Sequence, residues 1–142
     1  MAPPNVKQLF ELKDHVALVT GGSRGLGRAM AEALAQAGAR TVVASRQIKD
    51  CQSAAAEIKA HTGQESLALA LDVCQEKDVD MVFKEVQDKF GRLDIVINAA
   101  GINVRNLIED CKLEDFENVI KINLTGTWLV CRAAARAMKP KK

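Results

Sequence analysis

Residues Thr20 to Gly27 read Thr-Gly-Gly-Ser-Arg-Gly-Leu-Gly, and the chemistry available to such a run is the binding of an anion. The apolar run His15-Val16-Ala17-Leu18-Val19 precedes it, and Leu26, Ala29, Met30, Ala33, Leu34 and Ala37 follow at helical spacing. The glycines therefore form a turn between a strand and a helix N-terminus. A helix start leaves backbone N–H groups unpaired and carries partial positive charge, so a phosphate there finds donors and a favourable field together. Gly21, Gly25 and Gly27 let the backbone turn sharply and come close to a ligand, with Ser23, Arg24 and Leu26 beside them. The expected ligand is the pyrophosphate of a dinucleotide; a ligand-free turn would not need these glycines clustered with Thr20 and Ser23.

Three other points carry chemistry, each just past an apolar run. Ser45 and Arg46 follow the run Arg40 to Ser45, roughly 20 residues beyond the turn, where an acid would accept bonds from the ribose 2′-hydroxyl of NAD. The acid is missing. A guanidinium can bond a 2′-phosphate bidentately and Arg24 adds a second positive charge, so NADP is expected over NAD, the alternative being that Arg46 is a solvated strand-end arginine. Asp72-Val73 ends the run Leu67 to Leu71. Its carboxylate can accept from the exocyclic amine of adenine while valine packs on the ring, or it can serve a turn or a helix cap. Asn98-Ala99-Ala100-Gly101 follows Leu93 to Asn98, and its small residues permit close approach of a sugar or nicotinamide ring.

The elements that must position these residues alternate. Four apolar runs are expected as strands, separated by helical patterns at Cys51, Ala54, Ala55 and Ile58, at Val79, Val82, Phe83, Val86 and Phe90, and at Phe116, Val119, Ile120, Asn123, Thr127 and Trp128. Apolar strands joined through helices imply an α/β, Rossmann-like doubly wound parallel sheet. Residues 1–14 are a lead-in, loose as far as Leu9, residues 15–138 the dinucleotide-binding domain, and residues 139–142 a basic tail. Asn123 is a poor helix former on an apolar helix face, so something must bond its amide.

Composition narrows the classes. The chain has 142 residues, 48% hydrophobic, enough for one domain with a real core. Lys and Arg number 20 against 18 Asp and Glu, with interspersed signs, which is not a nucleic-acid footprint. No apolar stretch approaches a membrane span, and Met1 to Asp14 lacks the pattern of a secretion signal, so a cytoplasmic protein is expected. Cys51, Cys74, Cys111 and Cys131 are too widely spaced for a zinc site, and no metal is expected.

Together, the glycine turn, Asp72-Val73, Asn98-Ala99-Ala100-Gly101 and Asn123 resemble the short-chain dehydrogenase/reductase family over essentially the whole chain. The look is nearest to bacterial gluconate and sugar-alcohol dehydrogenases and 3-oxoacyl-carrier reductases. The resemblance implies strand order 3-2-1-4 and NADP-dependent reduction of a ketone or oxidation of a secondary alcohol on a small molecule. It implies Gly21, Ser23, Leu26 and Gly27 around the pyrophosphate, Ser45 and Arg46 at the 2′-phosphate, Asp72 and Val73 at adenine, and Asn98 and Gly101 at the nicotinamide-side ribose. For Asn123 it implies a water held in a proton relay, against the alternative of an amide tied to a backbone carbonyl. The family's usual Asn-Asn-Ala-Gly is Asn-Ala-Ala-Gly here.

The family's chemistry also uses a Tyr-x-x-x-Lys pair and a serine, and this sequence contains no tyrosine. The expectation is a cofactor-binding amino-terminal half of a larger reductase; the alternative is a non-catalytic NADP-binding or interaction module that ends at Lys142. Either is expected to form a homo-oligomer, through the last helix with Trp128, Leu129 and Cys131 or through the apolar edge Ile95-Val96-Ile97.

Overall fold

A computed structural model describes residues 5–139. The first four residues of the lead-in, and Pro140, Lys141 and Lys142 of the basic tail, lie outside the described residues. Four strands, β1 (Val16–Thr20), β2 (Arg40–Ser45), β3 (Ser66–Ala70) and β4 (Ile95–Asn98), form one sheet in the order β3-β2-β1-β4, every pairing parallel. The order expected from the family resemblance is the order observed.

Strands in a sheet covered on both faces must be apolar throughout, and β1 is wholly buried. Alternation then sorts side chains between two cores. Leu18 and Val42 face a layer holding Val79, Val82, Phe83 and Val86 of helix α4 (Glu76–Phe90) and Leu129, Val130 and Ala133 of helix α6 (Thr127–Met138). Val19 and Val43 face Ala31 and Ala35 of helix α2 (Gly25–Gln36) and Cys51, Ala54 and Ile58 of helix α3 (Ile48–Thr62). The fold is a Rossmann-like, doubly wound sheet.

Three expectations need correction. The stretch ending at Leu9 is not loose throughout: Val6–Leu9 forms a short helix, α1, whose start is closed by reciprocal bonds between Asn5 and Gln8. Helix α2 does not bury Leu26, Ala29, Met30 and Ala33; it buries Gly27, which is set so close to the Gly21 carbonyl that no side chain fits, and Ala31 and Ala35, which follow at four-residue spacing on the same face and pack with Val19 and Val43. The last helix is not continuous. Helix α5 (Leu113–Ile120) runs into a π-helical segment, Lys121–Gly126, before α6 begins. Phe116 and Trp128 are exposed rather than packed, whereas Leu129 is buried.

Among the described residues no helix is long and apolar enough to cross a membrane. No group of three or more His, Cys, Asp or Glu side chains among them is placed to hold a metal ion.

Candidate cofactor site

The register sets the carboxyl ends of all four strands along one edge of the sheet, with Thr20 level with Ala44 and Asn98, and Ser45 level with Ala70. β1 is where the strand order reverses, since the chain proceeds outward to β2 and β3 and returns to β4 on the other side. Ligands of doubly wound folds lie at that point. A cleft of about 550 Å³ opens there, a size suited to a small-molecule or cofactor ligand.

The turn after β1 builds the floor. The Gly21 N–H donates to the Ala44 carbonyl at 2.8 Å and the Ala99 N–H donates to the Thr20 carbonyl at 3.1 Å, extending the ladders one residue past the strands. Gly21 has φ +65° and would bring a Cβ to 2.7 Å from the Ala99–Ala100 backbone. Gly27 is tighter still: a Cβ there would lie 2.3 Å from the Gly21 carbonyl oxygen. These two contacts require glycine for packing of the turn against β4 and α2. Thr20, buried, donates its hydroxyl to the Ile97 carbonyl at 3.4 Å and accepts the Ala100 N–H at 3.3 Å. Helix α2 has no side-chain cap on its N-cap residue Arg24 and no acid in its first turn, so its leading N–H groups remain available to an anion.

The walls come from the other strand ends. Gly21, Ser23, Arg24, Gly25, Leu26, Gly27, Ser45, Arg46, Asp72, Val73, Ala99 and Gly101 all line the cleft. No carboxylate among the described residues forms an ion pair with Arg24 or Arg46. Asp72 does more than one thing. Its Oδ1 accepts the Cys74 N–H at 2.9 Å, the turn role weighed from the sequence, while its residue also lines the cleft. Burial, and then the charge of Asp72, push the neighbouring Cys74 thiol above its ordinary pKa.

Two expected site residues lie apart from this lining. Asn98 is exposed, and its amide donates to Cys131 Sγ at 3.5 Å on α6. As β4's last residue its side chain turns to one face of the sheet, and the cleft there is lined by Ala99, Ala100, Gly101 and Ile102 instead. Asn123 is not on a buried apolar face; it is exposed at the middle of the π segment. Its amide pairs both ways with one residue, accepting the Ile102 N–H and donating to the Ile102 carbonyl, each at 2.9 Å. This satisfies the backbone of the loop beside the cleft and ties it to the last helix. π segments of this kind recur at functional sites.

Reading the sequence missed Gln47, Asp50, Leu71, Ile102 and Ile122, which also line the cleft together with Ala100 of the small-residue run. Gln47 and Asp50 could have been found, because a helix begun just beyond β2 must bring its first turn to the same edge of the sheet. Ile122 could not, since its placement depends on the π segment.

Known proteins carry the same pattern. The family model described as short chain dehydrogenase matches residues 15–142. A 3-oxoacyl-(acyl-carrier-protein) reductase of Bos taurus is 41% identical over 125 residues, covering 88% of this chain and 51% of the relative. The protein of the same name from Synechocystis is 42% identical, covering 92% of this chain and 53% of the relative. A crystal structure of a short-chain type dehydrogenase/reductase from Mycobacterium marinum superposes with TM-score 0.90 at 37% identity, covering 94% of this chain and 54% of that one. This chain thus spans about half the length of the curated relatives it matches. With the family model spanning the glycine turn, all four strands and the last helix, the chain belongs to the short chain dehydrogenase family.

Proposed function

We propose that the cleft binds NADP(H) and that the chain forms the cofactor-binding part of an oxidoreductase that interconverts a ketone and a secondary alcohol. The observation that carries the cofactor choice is that Arg24 and Arg46 line one cleft with no carboxylate among the described residues in an ion pair with either of them. Two guanidinium groups there favour a 2′-phosphate, and the uncapped start of α2 suits the pyrophosphate. Gly21, Ser23, Gly25, Leu26 and Gly27 take the pyrophosphate, Ser45 and Arg46 the 2′-phosphate, Asp72 and Val73 the adenine, and Ala99 to Ile102 the nicotinamide side. Bound NADPH supplies a hydride to a carbonyl carbon. Asn123 keeps one amide hydrogen and one carbonyl lone pair beyond its two bonds to Ile102, enough to hold a water of a proton relay. Relatives named 3-oxoacyl reductase and carbonyl reductase support a ketone as the substrate class.

The sequence contains no tyrosine, which favours a second reading for the isolated chain: nucleotide binding without turnover, because a carbonyl needs a positioned acid of suitable pKa.

Titration of the chain with NADPH and NADH, beside an Arg46→Asp variant, tests the proposal. NADPH is expected to bind at least roughly tenfold more tightly, the scale of one charge-assisted hydrogen bond. Arg46→Asp should remove most of that preference. Equal affinities, unchanged by the substitution, would overturn it.

A further inference from the structure

Beneath the 2′-phosphate end of the cleft lies a thiol that this function does not use. Cys51, in the first turns of α3, is fully buried, and its Sγ lies 3.0 Å from the Ser45 hydroxyl and 3.9 Å from the Ser45 carbonyl oxygen. Ser45 lines the cleft and is followed directly by Arg46. The Ser45 carbonyl already accepts the Leu71 N–H at 2.9 Å, which fixes the backbone of this residue. What remains free is rotation of the hydroxyl, and Cys51 is the side chain placed to set it.

A serine hydroxyl has one proton to donate and lone pairs to accept with, and a thiol has a weak donor of its own. When the Cys51 S–H donates to Ser45, the Ser45 proton is left for a ligand, which suits an acceptor such as a phosphate oxygen. When Ser45 donates to sulfur, only a lone pair faces the cleft, which suits the O–H of an unphosphorylated ribose. Cys51 is fully buried, and the other acceptor near its S–H, the Ser45 carbonyl at 3.9 Å, is farther away than the hydroxyl and already takes the Leu71 N–H.

We propose that Cys51 is a positioning residue that turns the Ser45 hydroxyl toward the ligand and thereby contributes to discrimination between 2′-phosphorylated and unphosphorylated cofactor. The inference rests on the NADP(H) reading of the cleft. It adds a residue with no ligand contact of its own.

The test is calorimetric or fluorescence-competition titration of the full chain with 2′,5′-ADP and with 5′-AMP, which differ only at the group in question. The parent is expected to prefer 2′,5′-ADP. Cys51→Ala should weaken 2′,5′-ADP by roughly three- to tenfold while changing 5′-AMP less than about twofold, the scale of one ordinary neutral hydrogen bond such as that between Cys51 and Ser45. Cys51→Ser, which restores a donor, should recover most of the preference. In a Ser45→Ala background Cys51→Ala should have no further effect on the ratio, because the two act through one hydroxyl. Should Cys51→Ala fail to fold, Cys51→Val keeps the volume without the S–H and carries the same expectation. A parent that prefers 2′,5′-ADP, with a ratio unmoved by Cys51→Ala or weakened equally for both nucleotides, would overturn the positioning role alone. A parent with no preference would overturn the cofactor reading and this inference with it.

Discussion

A methyl group on Gly27 would stand 2.3 Å from the Gly21 carbonyl oxygen, and backbone rather than a flexible side chain is what it would meet. Gly27→Ala is therefore expected to destabilise the chain by about 1–3 kcal/mol, the usual cost of overpacking. It should also weaken nucleotide binding, because α2 can relieve the contact only by drawing its N-terminus away from the turn. Chemical denaturation with and without NADPH measures both; an unchanged midpoint would show that the helix accommodates the methyl freely. At this scale the sequence was a good guide wherever backbone chemistry decides. A glycine turn between an apolar run and a helix has few alternatives, so Gly21 to Gly27 were legible from type and spacing alone. Side-chain direction was less so. Asn98 ends a strand beside the cleft, and nothing in its neighbours says that its amide turns to Cys131.

Between elements, one carboxylate joins the start of β1 to the segment leading into β4. Asp94 accepts the Val16 N–H at 2.8 Å and a forked pair of bonds from Arg92 at 2.7 and 2.9 Å. Burial alone would raise its pKa, but the Arg92 and Val16 bonds outweigh burial and hold it below the ordinary carboxylate range. A depressed folded-state pKa stabilises the protein above the unfolded value, near about 4, and that stabilisation is lost as pH falls through the folded value. Asp94→Asn should lower the Tm at pH 7, and its difference from the parent should shrink as pH falls below about 4. A difference constant from pH 7 to pH 3 would contradict this role. The strands were legible because a doubly covered sheet leaves them as uninterrupted apolar runs. The face of α2 was not, since the close contact of Gly27 with the Gly21 carbonyl sets which face turns inward, burying Ala31 and Ala35 and leaving Leu26 and Met30 outside, opposite to what hydrophobicity suggests. The break at Lys121–Gly126 was hidden for another reason: the Asn123 amide takes its partner from Ile102, twenty-one residues earlier, a contact no local pattern displays.

For the whole molecule, the outer edge of β4 has no strand partner among the described residues, and Leu113, Phe116, Leu124 and Trp128 are exposed on the last helical stretch. Unpaired backbone beside so much apolar surface favours association. The chain is expected to form dimers or larger assemblies at micromolar concentration, and a stable monomer by light scattering across that range would refute this. The same chain, lacking tyrosine, is expected to bind NADPH without oxidising it in the presence of ketones. Steady ketone-dependent oxidation by homogeneous material would show that another acid serves. The second of these expectations depends on the cleft at the strand reversal being the cofactor site. Backbone hydrogen exchange with and without NADPH tests that most directly. Protection is expected at residues 21–27, 45–47, 72–73 and 99–102, around the 550 Å³ cleft, with exchange in α4 unchanged. Saturable binding that protects other segments and leaves the glycine turn as exposed as before would contradict the account.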